Sequence, residues 1–164
     1  MQKDKFWEDL KSGLFASMVR ETSKGQTLSN SKEVYHVLKP LVAGHDDVEA
    51  VYGIFLTAKN QLLGIEKLFS GSLTGASVYP REIVKRVIEL KASAVVLAHN
   101  HPSGCTEPSI EDKAITFRLS MALAAIDVVL HDHIIIGTGL YSMADAGVMA
   151  TINSQVKKLL MIVQ

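Results

Sequence analysis

The sequence holds one cysteine, Cys105, so no internal disulfide can form, and the fold must rest on apolar packing. It has no excess of either charge: 17 basic side chains face 17 acidic ones. A dedicated nucleic-acid binder usually carries a basic surplus, because phosphate contacts dominate its affinity. Long hydrophobic runs are also missing. The runs present, such as Ala94 to Ala98 and Met121 to Ile126, fall far short of the roughly 18 residues that mark a membrane span. The N-terminal stretch MQKDKFWEDLKSGLF carries Asp4, Glu8 and Asp9 and lacks the apolar core of a signal peptide. There is no internal repeat and no low-complexity tract. These absences predict a soluble cytoplasmic protein with no membrane contact. What is present is 48% apolar and 21% charged residues over 164 positions, enough for one domain with a sizeable core.

Apolar periodicity and the four prolines divide the chain. Phe6, Leu10, Leu14 and Met18 recur every four residues, which predicts a helix over 4–20. ETSKGQTLSN (21–30) reads as a polar linker. Ser31 can cap a short helix over about 32–39 that Pro40 ends, with Val34, Val37 and Leu38 on one face. VYGIFLTA (51–58) and LLGIEKLF (62–69) read as paired strands turning at Lys59–Gln61. The Gly- and Ser-rich segment 70–77 is a loop, and Pro80 opens a helix through Leu90. ASAVVLA (92–98) reads as a central strand, 101–108 as a loop, 109–125 as a helix and 128–136 as a further strand. Gly137 and Gly139 mark a turn, and the last 25 residues give no clear pattern. The order α-α-β-β-α-β-α-β predicts an α/β fold with helices on a mixed sheet.

The chemistry concentrates in AHNHPSGCTEPSIED, residues 98–112. His99 and His101 lie two apart at a strand end, so both imidazoles point to one face. Asp112 falls in the first turn of the next helix, and a strand–loop–helix return can bring it back to that strand end. Two imidazoles and a carboxylate leave a fourth tetrahedral position for water, the pattern of a catalytic zinc site rather than a closed structural one. A nearby carboxylate can then move the proton, and the Ser109 hydroxyl can donate to a developing oxyanion. Ser109 and Asp112 also have the spacing of a helix capping box. The two readings are compatible, because a helix N-terminus can serve both.

The motif H-x-H, seven residues, Ser, two residues, Asp matches without a gap the metalloprotease motif of the JAMM (MPN-plus) superfamily. HNHPSG with PSIED, the preceding YPREIV and the later DHIIIG resemble the RadC family of bacterial proteins over about residues 44–150. The resemblance implies a cytidine-deaminase-like JAMM/MPN fold over 44–164, a mixed β-sheet flanked by helices, with an N-terminal helical extension and linker over 1–43. It implies zinc held by His99, His101 and Asp112, Ser109 stabilising the tetrahedral intermediate, and a distant glutamate acting as acid and base. Glu49, just before VYGIFLTA, is the preferred match for that glutamate, and Glu66 is its rival. The implied activity is hydrolysis of a peptide or isopeptide bond in an unidentified protein or peptide substrate.

The remaining polar residues are assigned quieter roles. His131 and His133 should share one strand face with Asp132 on the other, in structural or supporting roles rather than as ligands. Cys105 is read as an ordinary loop residue, Asn100 as pointing away from the metal and pinning its loop, Arg81 as a surface or structural pair, and Lys157 and Lys158 as a solvated face. HNH here is not the nuclease motif, and a zinc deaminase would need H-x-E with P-C-x-x-C. The alternative to a hydrolase is a non-catalytic module tied to DNA repair or recombination. Longer RadC-like proteins carry a helix-hairpin-helix region, but residues 1–43 show no G-x-G hairpin signature, and the charge balance gives nucleic acid no support.

Overall fold

Alternation along one buried strand, β3 (Ala94–Asn100), sets the layers. Ala94, Val96 and Ala98 enter one core, and Val95 and Leu97 enter the other. A strand clad on both faces reads as a continuous apolar run, hence the unbroken ASAVVLA. The computed structural model describes residues 12–43, 47–71 and 78–163, together with 5, 8 and 9. The other strands are β1 (Ala50–Leu56), β2 (Leu62–Ser70), β4 (Val129–Ile136) and β5 (Leu140–Ser142), and the sheet order is β2-β1-β3-β4-β5. β1 runs antiparallel to β2 and β3, β4 parallel to β3, and β5 antiparallel to β4. This is the mixed sheet of the JAMM/MPN architecture.

Helices α1 (Leu14–Ser23) and α2 (Ser31–Val42) cover one face. Val34, Leu38 and Leu41 pack there with Tyr52, Ile54, Val96 and Ile134. Helices α3 (Pro80–Leu90), α4 (Ile110–Ala124) and α5 (Val148–Val163) cover the other. Ile83, Val87, Leu119, Leu123 and Ile152 pack there with Phe55, Val95, Leu97 and Ile135. Each such side chain contributes roughly 1.5–3 kcal/mol on burial, so both faces are firmly clad.

The central elements fall where the periodicity places them, and the differences have local causes. Gly13, left-handed at φ 79, sits in a turn that interrupts the predicted 4–20 helix, and α1 then runs on to Ser23. Phe6 and Leu10 lie outside the described residues. The expected linker is not free: Gly25 donates to the Leu62 carbonyl, Leu62 to that of Gln26, and Leu28 to that of Asn60, which stitches this segment to the β1–β2 hairpin. Asn30, not Ser31, caps α2 by accepting from the Glu33 amide. Pro40 does not end α2, which continues to Val42 because Leu41 and Val42 are buried in the core. β3 starts two residues later than expected, since left-handed Lys91 and the Ala92–Val87 hydrogen bond still belong to the end of α3. β5 and α5 were not legible in the last 25 residues. Among the described residues, no helix is long and apolar enough to cross a membrane.

Candidate metal centre

β3 carries His99 on the face of α4, in register with Val51 of β1. Beyond the strand, the His101 amide donates to the Ile136 carbonyl at 2.8 Å. The extended path therefore continues, and the two imidazoles return to the same side, with Nε2 atoms 2.8 Å apart. Asp112 arrives from the first turn of α4. There the capping box is complete: Ser109 Oγ accepts from the Asp112 amide at 3.0 Å, and Asp112 Oδ2 accepts from the Ser109 amide at 2.7 Å. Such a cap contributes about 0.5–2 kcal/mol, and here it also aims the carboxylate. Asp112 Oδ1 lies 3.2 Å from His99 Nε2, and Oδ2 lies 3.5 Å from His101 Nε2. Glu49 Oε1 approaches His99 Nε2 to 3.9 Å. Ligand atoms of Glu49, His99 and His101 all fall within 4.8 Å of one another, close enough to hold a metal ion. Asp112 lies closer to His99 than Glu49 does, and it also reaches His101.

The structure thus brings together His99, His101, Asp112 and Glu49. Ser109 stands at the rim, exposed, with its O–H hydrogen not used by the cap. Glu66 is elsewhere: it sits in β2 opposite Gly53, where its carboxylate accepts from Arg86 Nε at 2.8 and 2.9 Å. That ion pair raises the Arg86 pKa and occupies Glu66 away from the histidines. Glu66 is therefore not the rival that its position in the chain allowed.

Hydrogen-bond logic fixes the direction of the buried chain behind His99. Thr116 Oγ1 lies 2.5 Å from the Asp112 carbonyl oxygen, which only accepts, so the hydroxyl hydrogen points there. Thr116 then accepts from His133 Nδ1–H at 2.6 Å. His133 Nε2 is left as an acceptor and takes the His99 Nδ1–H at 2.8 Å. His101 Nδ1–H donates to the Cys105 carbonyl at 2.8 Å. Both Nε2 atoms consequently present lone pairs to each other. Two lone pairs 2.8 Å apart beside carboxylates require a cation among them, a proton or a metal ion. Thr116 had a usable signal in its position four residues after Asp112, on the same helix face.

With a proton as that cation, carried on His99, the electrostatics follow. Burial raises the Asp112 pKa, but the His99 hydrogen bond and charge, with the Ser109 donors, outweigh it and hold the carboxyl well below its ordinary range. Burial first, then the charge of His99, pushes the His133 pKa well below 6.5, so His133 is neutral. His131 departs from expectation. The β3–β4 register slips between the Val95–Leu130 and Val96–Asp132 pairs, which makes His131 the extra residue of a bulge. His131 therefore joins Asp132, not His133, on the α2 face, where its Nε2 meets Asn60 Oδ1 at 3.0 Å. Asp132 is buried and accepts from Ser142 Oγ and from the Ala144 and His133 amides, which buttresses the β4–β5 corner.

The loop between His101 and Ser109 is held by two glycines. Gly104 is left-handed at φ 81, and its carbonyl accepts from the Thr138 amide. A Cβ on Gly137 would stand 2.3 Å from that same carbonyl oxygen. Cys105 is an exposed loop residue whose carbonyl, not its thiol, serves His101. Arg81 pairs with Glu82 and stacks on Tyr79. Lys157 and Lys158 are exposed on α5.

A family model described as RadC-like JAB domain matches residues 28–148, a span that includes all the residues of this cluster. The chain is similar to a UPF0758 protein of Halorhodospira halophila (strain DSM 244 / SL1), 45% identical over 130 residues, which cover 79% of this chain and 58% of that protein. It is 43% identical over 132 residues to a UPF0758 protein of Thiobacillus denitrificans (strain ATCC 25259 / T1), covering 80% and 58% respectively. The chain therefore spans less than two thirds of the length of these relatives.

Proposed function

Because this chain belongs to the RadC-like JAB domain family, we propose that it is a zinc-dependent hydrolase of peptide or isopeptide bonds in an unidentified protein or peptide substrate. The observation that carries the reading is the pair of facing Nε2 atoms, 2.8 Å apart, with Asp112 oxygens at 3.2 and 3.5 Å. Zinc bonds of about 2.0–2.1 Å in a tetrahedron space their ligand atoms about 3.3 Å apart. The donor set of two imidazoles and a carboxylate suits zinc, and the spacings bracket that value. His99, His101 and Asp112 are the ligands in this reading, because the cap and the hydrogen-bonded histidines hold those three rigidly.

His99, His101 and Asp112 would hold the zinc, which when bound would supply Lewis acidity, lowering the pKa of a bound water towards about 7. Glu49, at 19% exposure, comes within 3.9 Å of the buried His99 Nε2 while keeping contact with solvent, as a general base needs. It takes a proton from the water whose oxygen adds to the carbonyl carbon. It then delivers that proton to the amide nitrogen as the C–N bond breaks. The Ser109 hydroxyl donates to the oxyanion in between. His133 and Thr116 keep the His99 Nε2 lone pair aimed inward throughout.

The test is a screen of peptide and isopeptide libraries with wild type, Glu49→Gln and His99→Ala. Wild type cleaves at least one member, and both variants lose about 100-fold or more of that activity. Equal cleavage by wild type and Glu49→Gln on every hydrolysed member would remove Glu49 from the reaction.

A further inference from the structure

We propose that Asn100 is the positioning residue for Glu49, clamping the backbone on both sides of it so that its carboxylate stands over His99; this rests on the reading of Glu49 as the base. The backbone ladder between β1 and β3 ends at the Val51–His99 pair. Just beyond it, the side-chain amide of Asn100 replaces the missing peptide group. Its Oδ1 accepts from the Ala50 amide at 2.8 Å, and its Nδ2 donates to the Val48 carbonyl at 3.0 Å. These are the peptide neighbours of Glu49. On the opposite edge, the Glu49 carbonyl accepts from the Gly71 amide at 2.7 Å. Residues 48–50 are thus held from both sides, and the Glu49 side chain emerges 3.9 Å from His99 Nε2.

The chemistry of the clamp selects asparagine. Asn100 is 4% exposed, and both ends of its amide are used. An aspartate would keep an acceptor for Ala50 but turn a second oxygen on the Val48 carbonyl. An alanine would reach neither. Asn100 sits between His99 and His101, so one short segment supplies two candidate ligands and, through Asn100, the placement of the base. The residue expected to pin its own loop pins the glutamate strand instead.

Two measurements on the full chain test this. In metal-free wild type, a long-range HNCO spectrum shows coupling across the hydrogen bond from the Ala50 amide nitrogen to Asn100 Cγ. Its absence, with Ala50 exchanging freely, overturns the clamp. The second probe is Co2+, with the pH midpoint of its visible spectrum followed in wild type, Glu49→Gln, Asn100→Asp and Asn100→Asp/Glu49→Gln. Asn100→Asp keeps Co2+ affinity within about threefold of wild type and shifts the midpoint as Glu49→Gln does, with no further shift in the double variant. An additive double variant, an unmoved midpoint, or an affinity loss as large as that of His99→Ala overturns the assignment. If Asn100→Asp does not fold, Asn100→Ser takes its place in the Co2+ titration, with the same outcomes deciding. A wild type that takes up no Co2+ sinks the hydrolase reading instead, and the hold on residues 48–50 is then judged by the HNCO coupling.

Discussion

The imidazole of His99 is fully buried and committed at both nitrogens, with Nδ1 on His133 and Nε2 facing His101 and Asp112. Such outer partners set ligand orientation and basicity, and their removal typically costs 10–100-fold in metal affinity. His133→Phe fills the space but offers no acceptor to His99 Nδ1–H. Competition with a chromophoric chelator should show zinc affinity lower by about 10–100-fold, whereas unchanged affinity would mean that His133 only fills volume. The same residue shapes stability. Its folded pKa lies well below the unfolded value of 6.5. Below that value the unfolded chain binds a proton that the folded one refuses, so this contribution is complete above pH 6.5 and lost as pH falls. Urea titrations of metal-free protein between pH 5 and 8 should show stability falling on the acid side. His133→Phe should remove up to about 1.4 kcal/mol per pH unit of that slope, the limit for one proton.

Among the elements, strand end, loop and helix start act as one unit. β3 aims His99, the loop keeps its path by the close approach of Gly104 and Gly137, and the cap of α4 aims Asp112. Gly137→Ala places a methyl group against a backbone oxygen that must move. The expected cost is about 1–3 kcal/mol of stability, with weaker zinc binding because the Cys105 carbonyl that orients His101 moves with the loop. Thermal melts and chelator competition read the two effects, and a variant matching wild type in both would show that the loop has slack. This unit was legible in the chain because its parts are consecutive: H-x-H follows from strand alternation, and Ser109 with Asp112 from cap spacing. Glu49 lies 50 residues before His99 and was reachable only through family resemblance. The His133–Thr116 chain and the Asn100 clamp were illegible in detail, because their partners are chosen by tertiary packing. The bulge at His131 defeated the face assignment in the same way, since one inserted residue reverses alternation without any mark in the sequence.

At the scale of the molecule, the cluster lies where two cores meet across one sheet. α2 packs on one face, and α3, α4 and α5 pack on the other. The cluster sits at the end of β3 and the start of β1, so His99 is fully buried while His101 and Glu49 stay 17% and 19% exposed. In the proposed function His99 and Asp112 would be buried ligands and Glu49 a partly open base, the layout that hydrolysis with an activated water needs. Everything turns on whether these side chains hold zinc. The most direct measurement is elemental analysis of protein purified without chelator. The prediction is about one zinc per folded wild-type chain, lost in His99→Ala and in Asp112→Ala but kept in Glu49→Gln. Well-folded wild type with no zinc, and none taken up on addition, would contradict it.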